Sequence, residues 1–333
     1  MAVVKANSYG TAFWQLPHFV NTDPIDYFVV AYAHEATPLL RWASQKPIIV
    51  MAPEVANFHY LVQHRLEPVL HSIELLKAFN GFCEQTNCSN YPVHIKINTG
   101  MNRLGLDWHD IEQLLGSLST PINLNIVSAM SHYAASGTAE QDNFSALQVE
   151  RFNNALSQLK KRFPSIGITH ISNTNGALRH PISTNNMVRI GIGMYGMVEQ
   201  KLGLQQAIVW KTTIAAIRTV PMGETIGYER ATTLAHTAAI AVIQVGYADG
   251  YSRKLGNQCG RVFLHNQLAP IVGNVCMDMI MIDVSGIANV AVGDEVELFG
   301  NNLSIHDMAK WAGTIPYEII CGVGERVKRV YHL

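Results

Sequence analysis

Over residues 1–200, short apolar runs alternate with amphipathic stretches, the pattern of βα units. Runs at 1–5 (MAVVK), 26–32 (DYFVVAY), 47–52 (PIIVMA), 67–71 (EPVLH), 93–97 (VHIKI), 123–129 (NLNIVSA), 168–171 (ITHI) and 187–190 (MVRI) predict eight strands. Eight parallel strands in one unit predict a closed (β/α)8 TIM-type barrel. Between them, residues 140–162 carry Leu147, Phe152, Ala155, Leu156 and Leu159 near helical spacing, so a helix is expected there. Past residue 200 the texture changes. Segments 207–219, 237–246, 261–264, 270–273 and 279–284 are rich in Val, Ile and Thr and are separated by turn signals such as Gly-Asn and Asp-Gly. The expected fold class is therefore α/β: a barrel over 1–200, then a mostly β domain over 201–333. One short helix from Ile305 to Ala312, with Ser304 as its N-cap, is expected to interrupt that second domain.

Composition narrows the function classes. Hydrophobic residues make up 48% of the 333 and charged residues 15%, so the chain can bury a large core and disorder is excluded. With 24 Lys and Arg against 25 Asp and Glu, the net charge of −1 gives no field suited to nucleic acid or an anionic membrane. Five scattered cysteines show no zinc spacing, and no metal site is expected. Cys83 and Cys88 are close enough in sequence to bridge, but reduced thiols are the favoured reading. No apolar run reaches the ~20 residues of a membrane span, and no signal peptide is visible, which points to a soluble cytoplasmic protein.

Lys5, in VVKANSYG, ends an apolar run, and barrel active sites lie at the C-terminal ends of the strands. Desolvation there would lower the pKa of its amine and make it a Schiff-base nucleophile. By position alone the favoured reading is a strand-end lysine snorkelling to solvent. The other motifs decide between these. VVKANSYG, KINTGMNRLG (96–105), SHYA (131–134), SNTNGALR (172–179), VRIGIGMYG (188–196), VGYADGY (245–251), VGNVCMDM (272–279) and PYEIIC (316–321), in this order, resemble the alanine racemase family from end to end. That family joins a pyridoxal-phosphate-binding barrel to a C-terminal β domain.

The resemblance implies that Lys5 holds pyridoxal 5'-phosphate covalently and that Tyr9, Asn173, Thr174, Gly191, Ile192 and Tyr317 help bind it. Thr174 replaces the usual serine but keeps the hydroxyl. Arg189 would face the pyridine nitrogen, and His132 would bond both Arg189 and the catalytic tyrosine. Arg103 would engage the substrate carboxylate, and Met277 would offer it a backbone N–H. Lys96 matches a lysine often carbamylated to orient that arginine; Asn98 stands where an aspartate is usual and removes a charge beside it. Racemisation needs a base on each face of the α-carbon. Lys5 is one, and Tyr228 in GETIGYER is the other, preferred over Tyr195 or Tyr251 because it lies nineteen positions before Tyr247. Tyr247 and Tyr317 would narrow the mouth of the site in favour of a methyl side chain. Excluding one further methylene is worth only ~1–3 kcal/mol, so selectivity for alanine should be incomplete. Asn274 stands where some members carry an arginine.

The implied function is interconversion of L- and D-alanine by a Lys/Tyr two-base mechanism, supplying peptidoglycan, in a homodimer whose active sites are shared between subunits. A broader amino-acid or serine racemase, a decarboxylase on the same barrel, and a cofactor-binding protein without turnover are the alternatives. Against the family, the chain opens inside the first barrel strand and lacks the N-terminal segment of roughly thirty residues that usually precedes the lysine, so lowered stability is expected.

Overall fold

Strands β1 (Ala2–Val3), β2 (Phe28–Val30), β3 (Ile48–Val50), β4 (Glu67–Leu70), β5 (Tyr91–Asn98), β7 (Leu124–Met130) and β8 (Ile168–His170) pair in parallel in that order, with β6 (Leu106–Asp107) as a spur on β5. The computed structural model describes residues 1–12, 24–41, 46–118, 122–180, 185–199 and 203–332. Strands β2, β3 and β4 are buried on both faces, as an α/β barrel requires.

Seven of the eight expected strands form; β5 is longer than expected at both ends, whereas β1 stops at Val3, two residues before Lys5. The eighth run, 187–190, contributes a bridge rather than a strand. Ile190 pairs with Ala2, its N–H donates to Met1 O (3.0 Å), and its carbonyl accepts from Val3 N (2.8 Å). On the other side, Asn186 does the work of a strand partner. Its N–H donates to Thr169 O (3.2 Å), its Oδ1 accepts from Thr169 N (2.9 Å), and its Nδ2 donates to Gly167 O (2.7 Å). Side-chain bonds thus replace a ladder where the ring closes.

Helix α1 (Ile73–Gln85) starts at Ser72, whose Oγ accepts from Leu75 N (3.2 Å), and it buries Leu76, Phe79 and Cys83. Helix α2 (Asp142–Arg162) answers the expectation for 140–162. It buries Phe152, Ala155 and Leu159 and carries Asp142 in its first turn and three basic residues in its last, matching the helix dipole. Helix α3 (Thr174–Arg179) follows β8. All five cysteines are free.

Met1–Ser8 and the described residues up to Met194 form one compact unit; Tyr9–Ala12 and the described residues from Tyr195 onward form a second. The expected boundary at 200/201 lies outside the described residues. The second unit is a closed antiparallel barrel of β9 (Trp210–Val220), β12 (Ala238–Ile243), β13 (Arg261–Leu264), β14 (Gln267–Val272), β15 (Ile280–Asp283) and β16 (Glu295–Phe299), ordered β12-β15-β14-β13-β16-β9. A small hairpin of β10 (Thr225–Ile226) and β11 (Thr232–Thr233) extends from it. Helix α4 (Ile305–Ala312) is capped by Ser304, whose Oγ accepts from His306 N (3.1 Å). A further helix, α5 (Pro316–Cys321), was not expected; the one signal for it is Pro316 at its first turn. Among the described residues no helix is long and apolar enough to cross a membrane, and no group of His, Cys, Asp or Glu is arranged to hold a metal ion.

Candidate active site

Parallel strands share one polarity, so residues at their C-terminal ends gather on one rim of the first unit. Lys5 follows β1, Lys96 lies in β5 and Arg103 beyond it, His132 follows β7, Thr174 follows β8, and Gly191 follows the closing bridge. Lys5 and Arg103 are exposed, whereas Lys96 is 4% exposed. Burial, then the positive charges of Arg103, Arg189 and Lys5, push the Lys96 amine down to about 8. Burial and the same cationic surroundings, Arg189 foremost, hold His132 well below the usual imidazole range, so it is neutral.

Arg189 is 3% exposed and held from several sides. Its terminal nitrogens donate to Ser131 O (2.7 Å), Ile171 O (3.1 Å), His170 O (3.3 Å), His132 Nδ1 (2.9 Å) and His170 Nδ1 (2.5 Å). Burial pushes its guanidinium down to about 9, which still leaves it charged at neutral pH. Behind His132, Gln148 of α2 donates to the His132 carbonyl (3.0 Å) and accepts from Ala134 N (2.9 Å), fixing the loop.

The backbone after Lys5 turns left-handed. Ala6, Asn7, Ser8 and Tyr9 all have φ between 51° and 58°, a conformation that costs L-residues on the order of 1–2 kcal/mol each. Glu35 anchors its start. One carboxylate oxygen accepts from Ala6 N (2.7 Å), the other from Ala31 N (2.7 Å) and Tyr32 N (3.1 Å) just beyond β2. Across the rim, Gly191 N–H donates to Thr174 Oγ1 (3.3 Å). A Cβ on Gly193 would fall 2.6 Å from Thr174 Cγ2, so this backbone lies flush against the threonine. The Asn173 Oδ1 is occupied by the cap of α3, accepting from Gly176 N (2.8 Å), and by Ser136 Oγ (2.9 Å). Asn98 is spent on its own turn. Its Oδ1 accepts from Gly100 N (3.2 Å) and Asn102 N (3.0 Å), and its Nδ2 donates to Asp107 Oδ1 (2.8 Å).

The second unit carries Tyr9, Tyr228, Tyr247, Met277 and Tyr317. Tyr228 sits at the tip of the β10–β11 hairpin and is 72% exposed, whereas Tyr251 is 0% exposed and Tyr195 is buried. Asn274 braces that tip, donating to Tyr228 O (3.1 Å) and to Glu229 Oε2 (3.3 Å). Tyr247 N–H donates to Cys276 O and Ala248 N–H to Met277 O (both 3.0 Å), which binds the Tyr247 and Met277 loops together. Arg326 fastens the same corner, pairing with Asp249 (2.6 Å) and Asp278 (2.7 Å). Tyr9 packs on Tyr195 and Tyr317 with ring centroids 6.2 and 6.0 Å apart; burial pushes the Tyr9 and Tyr317 hydroxyls up, so both remain protonated donors.

Glu35, Gln148, His170 and Arg326 were missed from sequence. Each lies far along the chain from the group it positions, and only Glu35, in an acidic helix start, carried any local cue. Glu35→Ala strips a charged acceptor from three backbone N–H groups and should destabilise the first unit by about 2–3 kcal/mol, with Glu35→Gln intermediate. The shift in urea midpoint of the full chain measures this; a midpoint unchanged in both variants would refute the anchoring role.

Models of the N-terminal and C-terminal domains of alanine racemase match residues 1–199 and 207–331. The alanine racemase of Geobacter sp. (strain M21) is 33% identical over 346 aligned residues, covering 99% of this chain and 91% of that protein. That of Clostridium tetani is 35% identical, with 99% and 88% coverage. Among solved structures, alanine racemase from Bartonella henselae with covalently bound pyridoxal phosphate superposes with a TM-score of 0.91 at 27% identity, covering 99% of this chain and 92% of that one. The biosynthetic alanine racemase of Pseudomonas aeruginosa gives 0.86 at 28% identity, with 100% and 92% coverage. This chain belongs to the alanine racemase family.

Proposed function

We propose that the protein interconverts L- and D-alanine with pyridoxal 5'-phosphate, using Lys5 and Tyr228 as the two bases. The observation that carries this reading is the cluster of Lys5, Lys96, Arg103, His132 and Arg189 on one rim of a barrel that belongs to this family. The donor set suits the cofactor: a primary amine at Lys5 for an aldehyde, a hydroxyl and glycine backbone at Thr174 and Gly191–Gly193 for a phosphate, and a guanidinium for a ring nitrogen. When bound, the cofactor acidifies the α-proton of the amino acid.

The chain's own groups then divide the work. Thr174 and the N–H groups of Gly191 and Ile192 would hold the phosphate, and the protonated hydroxyls of Tyr9 and Tyr317 would be further donors. Arg189 keeps its charge and has its terminal N–H groups engaged; Nε–H is the donor with no partner among the described residues. A guanidinium would not surrender its proton to a ring nitrogen, so Arg189 would leave that nitrogen unprotonated. Arg103 and the Met277 N–H bind the substrate carboxylate. The Lys5 amine moves a proton on one face of the α-carbon and the Tyr228 hydroxyl on the other, the latter oriented by neutral His132. Tyr228 is contributed by a partner subunit of a homodimer, and its exposure leaves it available for that role. The product supplies peptidoglycan synthesis in the cytoplasm.

In deuterated water, the full chain with pyridoxal phosphate should exchange the α-proton of L-alanine while D-alanine appears, followed by proton NMR and D-amino-acid oxidase. Lys5→Ala should lose both, and Tyr228→Phe should lose conversion by roughly 10²–10⁴-fold while retaining some exchange. Conversion undiminished in Tyr228→Phe would refute its assignment as a base.

Lys96, buried among cations, is suited to carbamylation: the neutral amine adds CO2 and releases a proton, turning a repelled cation into a carboxylate that attracts Arg103. Its neutral fraction rises as pH climbs through about 8, so at fixed dissolved CO2 modification should increase across that range. A carbamate signal from ¹³CO2 that grows from pH 7 to 9 and vanishes in Lys96→Ala is expected. Its absence from the parent chain at pH 9 would exclude the modification.

A further inference from the structure

Below the rim, a continuous line of polar side chains crosses the barrel interior. Glu67 on β4 has Oε2 2.8 Å from His94 Nε2, and His94 on β5 has Nδ1 2.6 Å from Ser128 Oγ. Ser128 on β7 lies 3.4 Å from His170 Nε2, and His170 on β8 has Nδ1 2.5 Å from an Arg189 terminal nitrogen. None of the five is more than 8% exposed, and among the described residues of this unit Glu67 is the one buried carboxylate.

The polarity of the line follows from what each atom can donate. Arg189 only donates, so His170 Nδ1 is a lone pair and its proton sits on Nε2. Ser128 Oγ accepts that proton's bond and turns its own hydrogen to His94 Nδ1. The remaining His94 proton lies on Nε2 and is accepted by Glu67. The reverse polarity would protonate His170 Nδ1 and set two donors face to face at Arg189. A doubly protonated His170 fails for the same reason, and burial together with the Arg189 charge already holds His170 well below the usual imidazole range. An acceptor at Glu67 is therefore what makes every bond up to the guanidinium self-consistent.

We infer that Glu67, at the opposite end of its strand from the catalytic rim, is a positioning residue for Arg189, acting through His94, Ser128 and His170. The inference rests on the role proposed above for Arg189. By accepting at the far end of the line, Glu67 supports the His170 tautomer that Arg189 requires, which helps keep a lone pair aimed at one terminal nitrogen and so sets the plane of the guanidinium and the direction of its Nε–H. Second-sphere partners of this kind typically contribute 10–100-fold to the function of the group they orient.

Ser128→Ala cuts the line without changing any charge, and Ser128→Thr restores the hydroxyl; Glu67→Gln replaces the obligate acceptor with an amide that also donates. The full chain, labelled with ¹⁵N-histidine and loaded with pyridoxal phosphate, should show His170 as a single Nε2–H tautomer. Its resonances are assigned by their loss in His170→Gln. In Ser128→Ala and Glu67→Gln the tautomers should mix, kcat for alanine should fall about tenfold, and KM should stay within about twofold. Ser128→Thr should recover both readouts. An unchanged His170 spectrum in both cutting variants overturns the inference, as does a mixed tautomer with unchanged kcat. If the parent chain does not racemise alanine, the proposed function fails, and the nitrogen spectra alone still decide whether Glu67 governs the His170 tautomer.

Discussion

The buried charge of Arg189 is the constraint around which the first unit is organised. A guanidinium sealed from water costs several kcal/mol unless its donors are matched. Here the match comes from carbonyls of Ser131, His170 and Ile171, at the ends of β7 and β8, and from the Nδ1 atoms of His132 and His170. Satisfying one charge therefore fixes the ends of two strands and the orientation of two imidazoles. Burial first and then this charge hold His132 neutral, and the charge adds to burial and Arg103 in depressing Lys96. One cation thereby prepares its surroundings electrostatically as well as sterically.

A second constraint lies after β1, the strand that the Arg189–Ile190 segment bridges. Four consecutive left-handed residues after Lys5 would not persist in an isolated peptide. They persist because Glu35 ties Ala6 to the backbone just past β2, converting a sharp change of direction into part of the scaffold. Lys5 is thus held between a buried parallel strand and a turn that the neighbouring strand's loop enforces.

The second unit solves a different problem. Its closed antiparallel barrel leaves no free edge between β9 and β16, and Tyr228, Tyr247 and Met277 ride on loops cross-linked by backbone bonds, by Asn274 and by Arg326. Asn274 serves to brace the Tyr228 tip. A short amide can bond a carbonyl and a carboxylate at once in that space.

Strand positions, domain character and the residues that gather on the barrel rim were legible in the sequence, because hydrophobic period and family motifs are local properties of the chain. Seven barrel strands, helix α2, the Ser304 cap and most strands of the second unit lie where the pattern puts them. The eighth strand failed because Asn186 supplies by side chain what the pattern assigns to backbone. Strand β16 and the β10–β11 hairpin were passed over because short segments carry little periodic signal. What only the tertiary structure decided is how distant residues share one proton or one charge. Glu67, His94, Ser128 and His170 look like unrelated strand positions until parallel pairing stacks them across the barrel, and Glu35 looks like a surface acid until the chain folds back on it. Sequence records which groups exist and their period along the chain; hydrogen-bond polarity depends on which groups meet in space, and that the fold alone determines.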